Sequence, residues 1–206
     1  MTRARLVLAT RNTGKLTELR RILAARPDLD VDLVGLESFP EVGEVAETGS
    51  TFRENALLKA AAVAAGTGLP AVADDSGLVV DALGGMPGVL SARWAGRHGD
   101  DQANLALLLG QLADVPDQRR GAAFVCVAAA VLPDGAQRVA EGRLTGVLAH
   151  QPRGSNGFGY DPVFVPAGHD RTAAQMSPAE KDAISHRGIA FRALAPLLAE
   201  LLDSSV

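Results

Sequence analysis

The 206-residue chain is short of cysteine, of aromatic side chains and of positive charge, and each shortage removes a class of protein. Its one cysteine, Cys126, excludes an intrachain disulfide framework; set in the run AAFVCVAAAVL, it reads as a buried, inert thiol. One Trp, one Tyr and six Phe make any ring in a loop conspicuous. A formal net charge of -4 argues against generic nucleic-acid binding, whose affinity comes from clustered Lys and Arg that release counterions. An anionic ligand therefore needs a local basic pocket. No His/Cys cluster has zinc-binding spacing. The longest uncharged apolar run, Ala122 to Leu132, is too short to span a bilayer, and the apolar stretch in MTRARLVLATRNTGK is too short for a signal peptide. The expectation is a cytoplasmic protein that binds neither membrane nor nucleic acid.

What remains is a composition that is 47% hydrophobic and 21% charged, enough apolar mass for a real core in one domain spanning 1–206. Arg5 to Ala9 reads as a buried strand, and Gly14 to Ala25 as an amphipathic helix carrying Leu16, Leu19, Ile22 and Leu23 on one side. Val31 to Leu36 reads as a second strand, followed by an acidic loop with Glu41, Glu44 and Glu47. Thr51-Phe-Arg-Glu54 has capping-box spacing, which predicts a helix to about Ala65 with Gly66 as its stop. Ala71 to Asp74 and Gly77 to Leu83 read as two short strands around an Asp-Asp-Ser-Gly corner. Asp101 to Leu112 is helical. Ala122 to Leu132 and Ala136 to Leu148 form an expected hairpin about Pro-Asp-Gly. A second capping box with Pro at the first helical position, Ser177-Pro-Ala-Glu180, precedes a last helix over Ile189 to Leu202. Alternating strands and helices with one hairpin imply an α/β fold on a mixed sheet.

Four stretches carry chemistry, and each also has a plain structural reading. Thr10-Arg-Asn-Thr-Gly-Lys15 is a polar turn between strand and helix, where backbone N–H groups and the helix dipole favour a phosphate and Lys15 adds a point charge; otherwise it is a capped helix start. Ala73-Asp-Asp-Ser-Gly77 sets two carboxylates at the end of an apolar strand, suited to magnesium and to taking a proton from water; otherwise it is a tight turn. Glu47 is a candidate second metal carboxylate, and Asn55 and Lys59 share one helix face. Gly154-Ser-Asn-Gly-Phe-Gly-Tyr-Asp161 puts Phe158 and Tyr160 among glycines, a base-stacking platform or simply a loop entering a strand. Lys181, His186 and Arg187 cluster around a helix start, where cations are unfavourable unless an anionic or carbonyl ligand faces them.

Together the segments LVLATRNTGKLTELRRIL, ETGSTFRENALLKA, ADDSGLVVDALGGMPGVLSARWAG, GFGYDPVF and SHRGIAFRAL resemble the inosine triphosphate pyrophosphatase family, in the family's order from Leu6 to Leu194. The resemblance implies a homodimer of two-lobed α/β subunits, each with a central elongated mixed sheet flanked by helices and a cleft between its lobes. It also implies Mg²⁺-dependent hydrolysis of non-standard purine triphosphates (ITP, dITP, XTP) to monophosphate and pyrophosphate. On this resemblance Thr10, Arg11, Asn12, Thr13, Gly14 and Lys15 grip the triphosphate, Asp75 and Glu47 hold the metal, and Asp75 is the base. Lys59 is assigned to catalysis. Ser76, Phe158, Gly159, Tyr160, Asp161, Lys181, His186 and Arg187 contact the nucleotide, His186 and Arg187 as donors to a 6-oxo group. Two positions depart from the pattern: Arg11 stands where many relatives have Gly or Ser, and Ala46 stands beside Glu47 where many have an acidic residue. Two rival readings remain at this point: a septum-inhibitor-like pyrophosphatase acting on modified pyrimidine or guanine nucleotides, and a catalytically silent nucleotide sensor.

Overall fold

A computed structural model of the protein describes residues 4–10, 17, 20, 21 and 31–203. Strands β1 (Ala4–Leu8) and β2 (Val31–Gly35) precede helix α1 (Phe52–Thr67), and strand β3 (Ala71–Val80) precedes α2 (Asp101–Gln111). Strands β4 (Gly121–Val131), β5 (Gln137–Leu148) and β6 (Phe164–Pro166) follow, then helices α3 (Pro178–Ile184) and α4 (His186–Asp203). The six strands form one sheet in the order β2-β1-β3-β4-β5-β6. It is mixed: β1 pairs in parallel with β2 and with β3, whereas β5 and β6 pair antiparallel. The expected hairpin is present, β4 and β5 being neighbours whose connection is closed by the Leu132 N–H donating to the Ala136 carbonyl at 2.9 Å.

The chain divides into two compact units, the first comprising the residues up to Asp75, Cys126–Gly142 and those from Arg187 onward. The two-residue period of its strands sorts side chains onto opposite sheet faces. Leu6, Leu8, Val72, Cys126, Ala128 and Ala130 pack with Phe191, Leu194, Leu198 and Leu201 of α4. The alternate residues Val7, Ala9, Ala71, Ala73, Val127, Ala129 and Val131 pack with Ala56, Ala60, Val63 and Ala64 of α1. The α1 face that meets the sheet is built largely of small side chains. On the α4 face, truncating a fully buried leucine such as Leu194 to Ala should cost about 2–5 kcal/mol.

The second unit comprises Ser76–Val125 and Arg143–His186. Its core joins Leu78, Val80, Leu108, Leu112, Ala122, Phe124, Leu148, Tyr160, Val163 and Phe164. Buried Arg120 closes this core from the end of α2: Nη1 donates to the Leu112 carbonyl at 2.7 Å, Nε to Leu148 at 2.8 Å and Nη2 to Ala149 at 3.1 Å. A cation there satisfies carbonyls that a helix C-terminus leaves open and complements its dipole.

Three expectations change, and a fourth falls mostly outside the described residues. The Asp-Asp-Ser-Gly segment is no corner, since β3 runs unbroken through it; both carboxylates find partners beside the strand, which removes the reason for a turn. Helix α1 continues past Gly66 to Thr67 and is capped by Gly68, whose φ of 66° supplies the left-handed cap. The last helix begins at His186, three residues earlier than its apolar period suggests. The helix expected over Gly14 to Ala25 lies outside the described residues except at Thr17, Arg20 and Arg21, which are helical.

Candidate active site

In the first unit, a capping box positions the chemistry. Thr51 Oγ1 accepts from the Glu54 N–H at 3.1 Å while Glu54 Oε2 accepts from the Thr51 N–H, so α1 starts at a fixed point. One turn on, Asn55 is fully buried, and Lys59 follows on the same face. Asp75 continues the β3 face of Ala71 and Ala73, which is the face α1 covers. The three side chains therefore meet: Asn55 Nδ2 donates to Asp75 Oδ2 at 3.0 Å, and Lys59 Nζ donates to Asp75 Oδ1 at 3.3 Å.

Lys59 also bonds Glu47 Oε1 at 2.7 Å, bridging the two carboxylates. Asn55 Oδ1 accepts from the Gly49 N–H at 2.8 Å, which ties the loop carrying Glu47 to the helix carrying Lys59. Burial alone would push the Lys59 ammonium down, but Asp75, Asp74 and Glu47 outweigh it and hold its pKa above the ordinary lysine value. Among the described residues no three His, Cys, Asp or Glu side chains cluster as a metal site. Glu47 and Asp75 form a pair of hard oxygen donors, and this fits magnesium, which is usually held by one or two carboxylates with water and substrate phosphates completing its shell.

Asp74 points to the other face, with Val72 and Cys126. It is buried, accepts from Arg187 Nε at 3.3 Å, and lies 3.8 Å from Cys126 Sγ. The anion that offsets Arg187 in the first turn of α4 is thus the protein's own Asp74.

In the second unit the glycine loop is held by carboxylates. Asp161 Oδ2 accepts from the Phe158 N–H at 2.9 Å and from Lys181 Nζ at 2.5 Å. Asp101 Oδ2, at the start of α2, accepts from the Gly159 N–H at 2.8 Å. Gly157 sits at φ 78°, and a Cβ there would strike the Asp161 carboxylate, so only glycine fits. Phe158 remains 47% exposed, with the Lys181 ammonium 5.0 Å from its ring centroid. Tyr160 is instead sunk in the core, its hydroxyl donating to the Ser91 carbonyl at 2.8 Å; burial, then Asp101, push its pKa up. Of the two rings expected to offer a stacking face, the structure exposes one. His186 is buried, its ring stacked on Phe124.

The Ham1 family model matches residues 6–197. The chain belongs to the Ham1 family. The dITP/XTP pyrophosphatase of Streptomyces coelicolor is 64% identical over 198 residues, which cover 96% of this chain and 98% of that protein. A solved nucleoside-triphosphatase / dITP/XTP pyrophosphatase from Mycobacterium abscessus shares 59% identity with a TM-score of 0.77, over 94% of this chain and 98% of that one. A HAM1 protein from Coxiella burnetii superposes with a TM-score of 0.87 at 44% identity, over 96% and 99% of the two chains.

Against this Ham1 background, the residues expected from sequence other than Tyr160, His186 and Arg187, placed above, fall into three groups. Glu47, Lys59 and Asp75 come together, and the acidic-loop residue that joins Asp75 at Lys59 is Glu47, its neighbour Ala46 being exposed. Phe158, Gly159, Asp161 and Lys181 also come together, while Ser76 is half-buried on β3. Arg11, Asn12, Thr13, Gly14 and Lys15 lie outside the described residues; Thr10 is described, and its N–H donates to the Leu8 carbonyl. Sequence reasoning missed Asp101, whose place beside Asp100 at a helix start reads as capping alone, and Phe124, which reads as one more apolar strand residue. It noted Asn55 on the face of Lys59 without a role.

Proposed function

We propose that this chain hydrolyses non-standard purine nucleoside triphosphates, ITP, dITP and XTP, to the monophosphate and pyrophosphate. The observation that carries the reading is the Glu47–Lys59–Asp75 cluster in a chain nearly two-thirds identical, end to end, to a dITP/XTP pyrophosphatase. Asp75 is the base: it takes a proton from the water whose oxygen attacks the α phosphorus, as the bond to the bridging oxygen breaks and pyrophosphate departs. Asn55 holds one oxygen of that carboxylate, which fixes the direction of the other.

Glu47 and Asp75 are the residues that would hold Mg²⁺, which when bound supplies charge neutralisation at the phosphates and a template for the attacking water. Lys59 keeps the two carboxylates together and offsets their repulsion. The Thr10 to Lys15 turn is assigned to the terminal phosphates, so that the leaving group is cradled before the bond breaks.

Phe158 is assigned to stacking on the base, since its ring is the exposed one, with Asp161 and Lys181 fixing its loop. His186 is assigned as donor to the 6-oxo group. A 6-amino purine would leave such a donor unsatisfied at about 1–3 kcal/mol, roughly five- to 150-fold. The resemblance further supports a homodimer acting in the cytoplasm. Among the described residues, no helix is long and apolar enough to cross a membrane.

Phosphorus NMR of the reaction with ITP tests the reading. IMP and intact pyrophosphate should appear in one step; early IDP with orthophosphate would defeat it, and absence of turnover would leave a sensor.

A further inference from the structure

Phe124 lies on β4 and is buried with His186 in the second unit, their ring centroids 5.0 Å apart and their planes 14° from parallel. Behind it, fully buried Phe164 of β6 meets the same ring at 4.6 Å and 55°. The result is a run of three rings, Phe164, Phe124 and His186, in which the tilted phenylalanine pair blocks Phe124 from turning and Phe124 lies flat against the imidazole. A histidine ring has two soft side-chain torsions, and a flat neighbour removes the second of them. The ring nitrogens of an imidazole donate in the plane of the ring, and a hydrogen bond weakens steeply once its angle falls below about 120°. Whatever fixes that plane therefore fixes which acceptor the histidine can read.

We propose that Phe124 is a positioning residue for base selection: it holds the imidazole of His186 in the plane from which a 6-oxo group is recognised, and so sets the discrimination between 6-oxo and 6-amino purines. The inference rests on the assignment of His186 as that donor. It gives a role to a side chain that touches no substrate and lies in a strand otherwise built of small apolar residues.

The test is a double-mutant cycle on the whole protein, measuring kcat/KM for ITP and for ATP in wild type, Phe124→Leu, His186→Ala and the double variant. The ITP/ATP ratio cancels the concentration of folded enzyme, so a stability defect alone does not move it. Phe124→Leu should lower the ratio at least about fivefold. In the His186→Ala background the same change should have less than a twofold effect, because Phe124 acts through that ring. If the leucine variant does not fold, Phe124→Met keeps comparable volume without a flat face and is held to the same expectations. A ratio that collapses in His186→Ala but stays within twofold of wild type at position 124 overturns the inference while leaving the assignment of His186 intact. Equal effects in both backgrounds also overturn it. A ratio unchanged by His186→Ala overturns the assignment itself and the inference with it.

Discussion

Replacing Lys59 with Met keeps most of its volume and removes the cation between Glu47 and Asp75, whose oxygens lie 2.7 and 3.3 Å from its ammonium. Side-chain exposures are 14% for Lys59, 26% for Glu47 and 8% for Asp75, so the pair is neither a surface bridge nor a fully dry one. Breaking a buried ion pair from one side costs about 3–5 kcal/mol and an exposed one about 0–1. The partial exposure of Glu47 places this case at about 2–3 kcal/mol. For a chain of this size each kcal/mol moves Tm by about 2–4 °C, so Lys59→Met should melt roughly 5–10 °C below wild type in chelator. The Lys59 pKa is raised in the fold, so its contribution is complete below the ordinary lysine value of 10.5 and is lost only as pH rises through the higher folded value. The defect should therefore be flat across neutral pH. If the carboxylates are the metal site, Mg²⁺ should stabilise the variant more than wild type, because it no longer competes with an ammonium. Thermal melts followed by circular dichroism, with and without Mg²⁺, read both effects. A Tm within about 2 °C of wild type in chelator, or equal stabilisation by Mg²⁺ in the two proteins, would refute the reasoning.

Asp75→Asn should keep the fold but melt below wild type, because partly buried Lys59 loses one of its two carboxylates, and it should cut turnover of ITP at least about a hundredfold, since the amide keeps the shape but accepts no proton; near-normal steady-state rates would move the base to another carboxylate. The Glu180 carboxyl is pulled down to about 2, first by the Ser177 backbone N–H and then by Arg171. A depressed pKa contributes stability above the unfolded value, here 4.5, and loses it as pH falls toward 2. Glu180→Gln should thus be less stable than wild type at pH 7, with the difference shrinking by pH 3 in urea titrations. A gap that does not change with pH would show that the α3 cap does not depend on this charge.

Periodicity and capping chemistry carried most of the fold into the sequence. Both capping boxes, Thr51 with Glu54 and Ser177 with Glu180, are where their spacing puts them, because each is a local exchange of hydrogen bonds that needs no tertiary context. The long β4 and β5 runs are equally local signals. Two of the misreadings, the corner at Asp-Asp-Ser-Gly and the available ring at Tyr160, originate in side chains satisfied by distant partners. Asp-Asp-Ser-Gly has turn composition, yet it continues as strand because Arg187, Asn55 and Lys59, remote in sequence, bond its two carboxylates. Tyr160 reads as an available ring from its glycine neighbours, but its hydroxyl finds the Ser91 carbonyl 69 residues away. Asp101 and Phe124 escaped for the same reason, as neither position carries a local pattern that points to Gly159 or to His186.

The two adjacent aspartates show how the strand period divides one motif into two tasks. Read as letters, Asp74 and Asp75 are equivalent candidates for a metal ligand or a base. On β3 they must face opposite ways. Asp74 falls among Val72 and Cys126, where its side chain is 1% exposed and that of its partner Arg187 is 3% exposed. A carboxylate so enclosed is costly unless a cation stays with it, which ties the first turn of α4 to the sheet and leaves Asp74 little freedom to exchange partners with a substrate. Asp75 falls on the α1 side, where Lys59 divides its charge between Asp75 and the more exposed Glu47, and the neutral amide of Asn55 donates a further hydrogen bond. A cation shared with a partly exposed carboxylate is easier to displace than a buried guanidinium. The proposed roles of metal ligand and base therefore suit Asp75 better than Asp74, whose place suits it to holding the framework still.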